Sequence, residues 1–179
     1  MAEMGLWTSG ETALIIKSED AEKPAIVERL KMFVVDGLIE QEGDLNPGRG
    51  HVRMYSDGVV CFAAVLNTLT DFGIQVRRGP YANFWLFVRG EVEQARIVWL
   101  QAKKRGVAPP TLHLELADAG KVDEFGRRFF AYLHGMPRRV AHPGALIAPI
   151  AWSSHMVALS RLFKQIDARM AAFAKEKAG

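Results

Sequence analysis

Apolar positions recur at helical spacing along much of the chain. Ile26, Leu30, Phe33 and Val34 fall on one face of a helix that Pro24 can open, because a first-turn proline loses no intrahelical bond. Glu28 and Lys31 point away from that face, with Arg29 on its flank. Gly37 suits the left-handed cap position, and Leu38 and Ile39 can pack back on the helix it ends. Upstream, Thr8-Ser9-Gly10-Glu11 has the form of a capping box and opens a short helix through Ala13, Leu14, Ile15 and Ile16. The residues before it form a lead-in whose Leu6 and Trp7 dock on the core.

Between Glu40 and Ser56 the pattern changes. Asn46-Pro47-Gly48 and Gly50 punctuate a turn, and His51 to Tyr55 partly alternates, as in a short strand with Val52 and Met54 inward. Ser56 is an N-cap residue, with Asp57 favourable in the first turn of the next helix. That helix carries Val59, Phe62, Ala63, Leu66 and Leu69 and ends near Phe72-Gly73, with Cys61 packed inside as a small hydrophobe. Arg77-Arg78-Gly79-Pro80 is a break. It divides the chain into an N-terminal domain, 1–79, and a C-terminal domain, 80–179.

The second half is less regular. Tyr81 to Arg89 is aromatic and fits strand or helix. Glu91 to Lys104 is rich in helix formers and closes on Lys103, Lys104, Arg105 and Gly106. Thr111 to Leu116 alternates as a strand, Val122 to Leu133 reads as a helix, and the proline-bearing stretch 136–149 as a loop. A final helix is expected over 153–175. It carries Met156, Leu159, Phe163, Ile166, Met170 and Phe173 at alternating three- and four-residue spacing. Such a stripe serves either a dimer seam or packing on the chain's own core. The expected class is mainly α with some β: a winged helix-turn-helix, then a small α/β or α-helical domain with a long terminal helix.

Composition narrows the function. The net charge of +3 conceals an acidic first half, with 8 Lys/Arg against 12 Asp/Glu over 1–79, and a basic second half, with 15 against 8. The segment Arg49 to Arg53 is locally basic. No apolar run reaches the roughly 18 residues of a membrane span, and the N-terminus has no secretory pattern. One cysteine excludes an intrachain disulfide and a multi-cysteine zinc site. A cytoplasmic protein is the expectation. His51, His113, His134, His142 and His155 are scattered, and neither a phosphate-binding loop nor a nucleophile turn occurs. No metal, no cofactor and no enzymatic activity are expected. Tyr81, Phe84, Trp85, Phe87 and Trp99 would either line an effector pocket or pack as core.

Gly37-Leu38, Arg53-Met54-Tyr55, Ser56-Asp57 and Phe72-Gly73, in this order and spacing, carry a resemblance to MerR-type transcription regulators. The first 78 residues resemble the DNA-binding domain of that family. The family usually has Arg-x-Tyr in its recognition helix, where this chain has Lys31-Met32-Phe33, which keeps the charge and loses the hydroxyl. The resemblance implies a DNA-binding transcription regulator that works as a homodimer on double-stranded DNA, with an effector altering half-site spacing. The recognition helix, 23–37, would present Glu28, Arg29 and Lys31 to the major groove. The wing, 46–55, would set Arg49, His51, Arg53 and Tyr55 against the backbone or minor groove. Arg77-Arg78, Lys103-Lys104-Arg105 and Arg138-Arg139 would extend the phosphate track or serve as solvated helix ends and loops. Two alternatives stand beside this reading. One is a protein-interaction or small-ligand module on a winged scaffold that does not bind DNA. The other is a nucleoid, phage or plasmid DNA-binding factor.

Overall fold

Local signals set the first helices in a computed structural model of the chain, which describes residues 5–18, 21–42, 52–74, 76, 82–118, 129–135 and 153–178. Strand β1 (Leu6–Thr8) leads directly into α1 (Ser9–Ile16). The capping box is formed: the Glu11 amide donates to Thr8 Oγ1 at 3.2 Å and the Thr8 amide donates to Glu11 Oε2 at 2.8 Å. Helix α2 (Lys23–Val35) opens with Pro24 in its first turn and ends at Gly37, whose φ of 64° places it in the left-handed region. Ile26, Leu30, Phe33 and Val34 are its buried face, and Leu38 and Ile39 fold back into the same core. Helix α3 (Asp57–Asp71) follows strand β2 (Met54–Ser56) without a break. It is buried almost continuously from Val59 to Asn67, so it forms the centre on which the other helices pack.

Strand β2 pairs antiparallel with β1, setting Tyr55 opposite Trp7, and Glu42 bridges to Met54. The inward phase differs from expectation. Tyr55 is 0% exposed, Met54 is half-buried and Val52 is exposed. Because successive strand residues face opposite sides, the choice of Tyr55 as the inward residue turns Val52 outward. Trp7 docks on the core as expected, with its indole Nε1 donating to Asp57 Oδ1 at 2.6 Å, whereas Leu6 is exposed.

The aromatic segment after residue 81 is helical: α4 spans Ala82–Lys104, 23 residues, and ends on Gly106 at φ 69°. Strands β3 (His113–Asp118), β4 (Phe129–His134) and β5 (Ser153–Val157) form an antiparallel sheet in the order β4-β3-β5. Two expectations are corrected here. Phe129–His134 is a strand, and the terminal helix α5 (Leu159–Ala178) starts six residues later than expected. Leu114 pairs with Leu133 on one side and Val157 on the other, so β3 acts as a template for two segments that have no helical partner of their own. Beyond β4, Gly135 has φ 84°, and a Cβ there would lie 1.8 Å from the Thr111 carbonyl oxygen, so only glycine fits. Residues 122–128 of the helix expected over 122–133, and the loop 136–149, lie outside the described residues.

One buried cluster runs from Trp7 through Phe62 and Trp99 to Met170. Among the described residues, no helix is long and apolar enough to cross a membrane.

Candidate nucleic-acid interface

Helix α2 turns Lys23, Glu28, Lys31, Met32 and Val35 to solvent. Lys31 Nζ pairs with Glu28 Oε1 at 2.5 Å, one turn apart and exposed on both sides. Such a pair is worth at most about 0.5 kcal/mol, so either side chain can leave it for another partner. Arg29 is differently placed. Its Nη1 donates to Asn67 Oδ1 at 2.7 Å and to Asp71 Oδ1 at 2.5 Å, which locks α2 to α3. The guanidinium expected at a DNA base is therefore paired with a carboxylate of the same chain.

Tyr55 is likewise held within the chain. Its ring is fully buried and its hydroxyl has no hydrogen-bond partner among the described residues, so it is a core residue and presents no surface to a phosphate. Arg53 is half-buried, with Nη1 enclosed and without a hydrogen-bond partner among the described residues. Its backbone oxygen accepts from the Ser9 amide, tying the strand to the start of α1. Arg49 and His51, with residues 46–51 of the expected wing, lie outside the described residues. So do Arg77, Arg78, Tyr81, Arg138, Arg139 and His142. The described ends of that segment, Glu42 and Met54, face each other in an antiparallel bridge, with the Glu42 amide donating to the Met54 oxygen at 2.8 Å.

The expected dimer stripe of α5 faces its own chain. Leu159, Phe163, Ile166 and Met170 are buried, Phe173 packs against the same core, and Met156 is exposed on β5. Two features of this helix were not foreseen from sequence. Asp167 accepts hydrogen bonds from Arg96 Nη2 at 2.5 Å, Lys103 Nζ at 2.6 Å and Trp99 Nε1 at 3.1 Å, all from α4. Burial alone would raise the Asp167 carboxyl pKa, but these donors outweigh it and hold the group below its ordinary value. Arg169 Nη1 donates to the carbonyl oxygens of Ile15, 2.7 Å, and Lys17, 2.8 Å, at the end of α1.

An exposed apolar stripe lies instead on α4. Leu86, Phe87, Ile97 and Leu100 are 58, 51, 45 and 45% exposed. Leu86, Gly90, Glu93, Ile97, Leu100 and Lys104 repeat at alternating four- and three-residue steps, with Phe87 beside Leu86. That spacing was legible in the sequence, but the aromatic run around Trp85 obscured which side of the helix faces inward. Trp85 and Trp99 are core, and Phe84 meets Trp85 edge-on with centroids 5.1 Å apart, whereas Phe87 points outward.

Lys103, Lys104 and Arg105 are exposed at the end of α4. Among the described residues no three His, Cys, Asp or Glu side chains are grouped to hold a metal ion. No protein-family model matches the chain, and no curated protein matches it.

Proposed function

We propose that the chain is a transcription regulator that binds double-stranded DNA as a homodimer, with α2 as the recognition helix of a winged helix-turn-helix. The supporting observation is one of order and exposure. A short helix, α1, is followed by a helix with a solvent-facing side, then by an antiparallel bridge between Glu42 and Met54 that is joined to β1, then by the buried α3. This is the arrangement in which a helix and an adjoining hairpin can meet a duplex together. On the exposed side of α2, Lys31 would donate to guanine O6 or N7 or to a phosphate, and Glu28 would accept from cytosine N4. Arg29 and Tyr55 take no part in contact; they hold the scaffold.

The same reading assigns the second copy to α4. An antiparallel α4 pair centred between Val98 and Trp99 sets Ile97 against Leu100 of the second copy, twice by symmetry. The same register sets Glu93 against Lys104, giving two flanking ion pairs around an apolar centre. Gly90 has open space where a side chain would stand, so close approach there meets no obstacle.

The test is fluorescence anisotropy on labelled genomic duplexes over a salt series, with sedimentation on the same samples. Wild type is expected to bind with an affinity that falls steeply with salt, and Lys31→Ala to lower both affinity and slope. Ile97→Glu is expected to yield monomers. Absence of duplex binding at low salt would overturn the DNA reading.

A second reading, a protein-interaction or small-ligand module that does not bind DNA, is favoured by one observation. The exposed side of α2 also carries Met32 and Val35, 53 and 80% exposed, beside an ion pair that carries no net charge. That composition suits a protein partner as well as a phosphate backbone.

A further inference from the structure

Helix α1 has eight residues, fewer than a helix needs to persist by itself in water. Its ends are held by side chains from the far end of the chain. At the C-terminal end, Arg169 bonds the carbonyls of Ile15 and Lys17, and Asn67 of α3 donates to the carbonyl of Ile16 at 3.5 Å. These are groups that a helix end leaves without intrahelical partners. At the N-terminal end, Lys177 Nζ pairs with Glu11 Oε1 at 2.8 Å, while Glu11 Oε2 holds the Thr8 amide in the capping box. Lys177 also sits over the Trp7 ring, 5.2 Å from its centroid. Arg169 and Lys177 are eight residues apart, about 12 Å along α5. That span matches α1 laid antiparallel beside it.

The other end of α5 is fixed as well. Ser160 Oγ accepts from the Leu112 amide at 2.5 Å and donates to the Pro110 carbonyl at 3.0 Å, anchoring α5 to the start of β3. Two residues before Arg169, Asp167 takes its three bonds from α4. A single helix thus touches the sheet, α3, α4 and both ends of α1.

We infer that α5 is a latch on α1: its C-terminal half holds the short helix in place, and so bears on where α2 stands, from a helix that also packs on α3, α4 and the sheet. A second copy on α4 would bear on α2 through α5 and α1, alongside the Arg29 bonds that hold α2 to α3. The consequence for duplex binding rests on the reading proposed above; the latch itself does not.

The experiment is amide hydrogen exchange on the full chain as wild type, Arg169→Gln and Lys177→Gln, with duplex affinity measured in parallel. Exchange in peptides over 9–18 and 21–26 is expected to accelerate about tenfold or more in Arg169→Gln, and less in the surface variant Lys177→Gln. Peptides over 59–69 of α3, which is buried almost throughout, should keep wild-type rates. Unchanged α1 exchange in both variants overturns the latch. So does an equal acceleration of α1 and α3 in Lys177→Gln, which is mild enough to leave the core intact. Faster α1 exchange in a protein that binds no duplex would uphold the latch and refute the DNA reading.

Discussion

Replacing Asp167 by Asn removes a charge while keeping the shape. The carboxylate is 16% exposed and Arg96 is 11% exposed, so the two form a mostly buried ion pair. Arg96 also lies over the Phe163 ring, 5.3 Å from its centroid, which fixes it between α4 and α5. Breaking a fully buried pair costs about 3–5 kcal/mol, because the remaining charge is left without compensation. Asn retains one acceptor, the site is partly wet, and the Lys103 arm is half exposed and adds little. We therefore expect a loss of about 2–3 kcal/mol at pH 7, or about 5–10 °C in midpoint for a chain of this size. Urea denaturation from pH 7 to pH 2 measures it. The Asp167 pKa is lowered in the folded state, so its contribution is present above the unfolded carboxyl value of about 4 and is lost as pH falls through the folded value. The gap between wild type and Asp167→Asn should accordingly close at acid pH. A gap under about 0.5 kcal/mol at pH 7, or one that persists unchanged at pH 2, would refute the reasoning.

Three further outcomes follow from the same packing. Burial pushes the Cys61 thiol up to about 12, with Arg96 opposing and Asp167 and Asp57 adding to the rise, so the thiol stays protonated. A thiol reagent at pH 8 should label it only after denaturant is added; rapid labelling of the folded chain would show that α3 is accessible. Tyr55→Phe should be neutral or stabilising in thermal melts, since the buried hydroxyl has no partner among the described residues, and a loss above about 1 kcal/mol would reveal one. Asn67 is buried and links Arg29, Asp71 and the Ile16 carbonyl, so Asn67→Ala should cost about 1–3 kcal/mol by denaturant titration. A change within experimental error there would mean that the α2–α3 junction is held by the Arg29–Asp71 pair and apolar packing without Asn67.

What the sequence revealed divides along the range of the interactions. The capping box at Thr8, the glycine cap at Gly37, the helix over 57–71 and the basic end of α4 depend on residues within a few positions of one another. Strands β4 and β5 were not legible as strands. Phe129–His134 and Ser153–Val157 are fixed by pairing with β3, and their apolar pattern also satisfies a helix. The phase of β2 was missed because Trp7, far away in sequence, selects Tyr55 as its neighbour. The stripe on α5 had the spacing of a dimer seam, but the same spacing serves a helix that packs inside its own chain. The arginines were the least legible. Arg29 and Arg169 look like surface charges in sequence, and only the fold brings them to Asp71 and to the end of α1.

The most direct test of the central claim is the salt dependence of duplex binding by wild type and Lys31→Ala. Logarithmic plots of affinity against salt should be linear and steep for wild type, with a shallower line for the variant by about one unit if Lys31 meets a phosphate. A wild-type chain that ignores duplex at low salt, or binds it with no dependence on salt, would contradict the account.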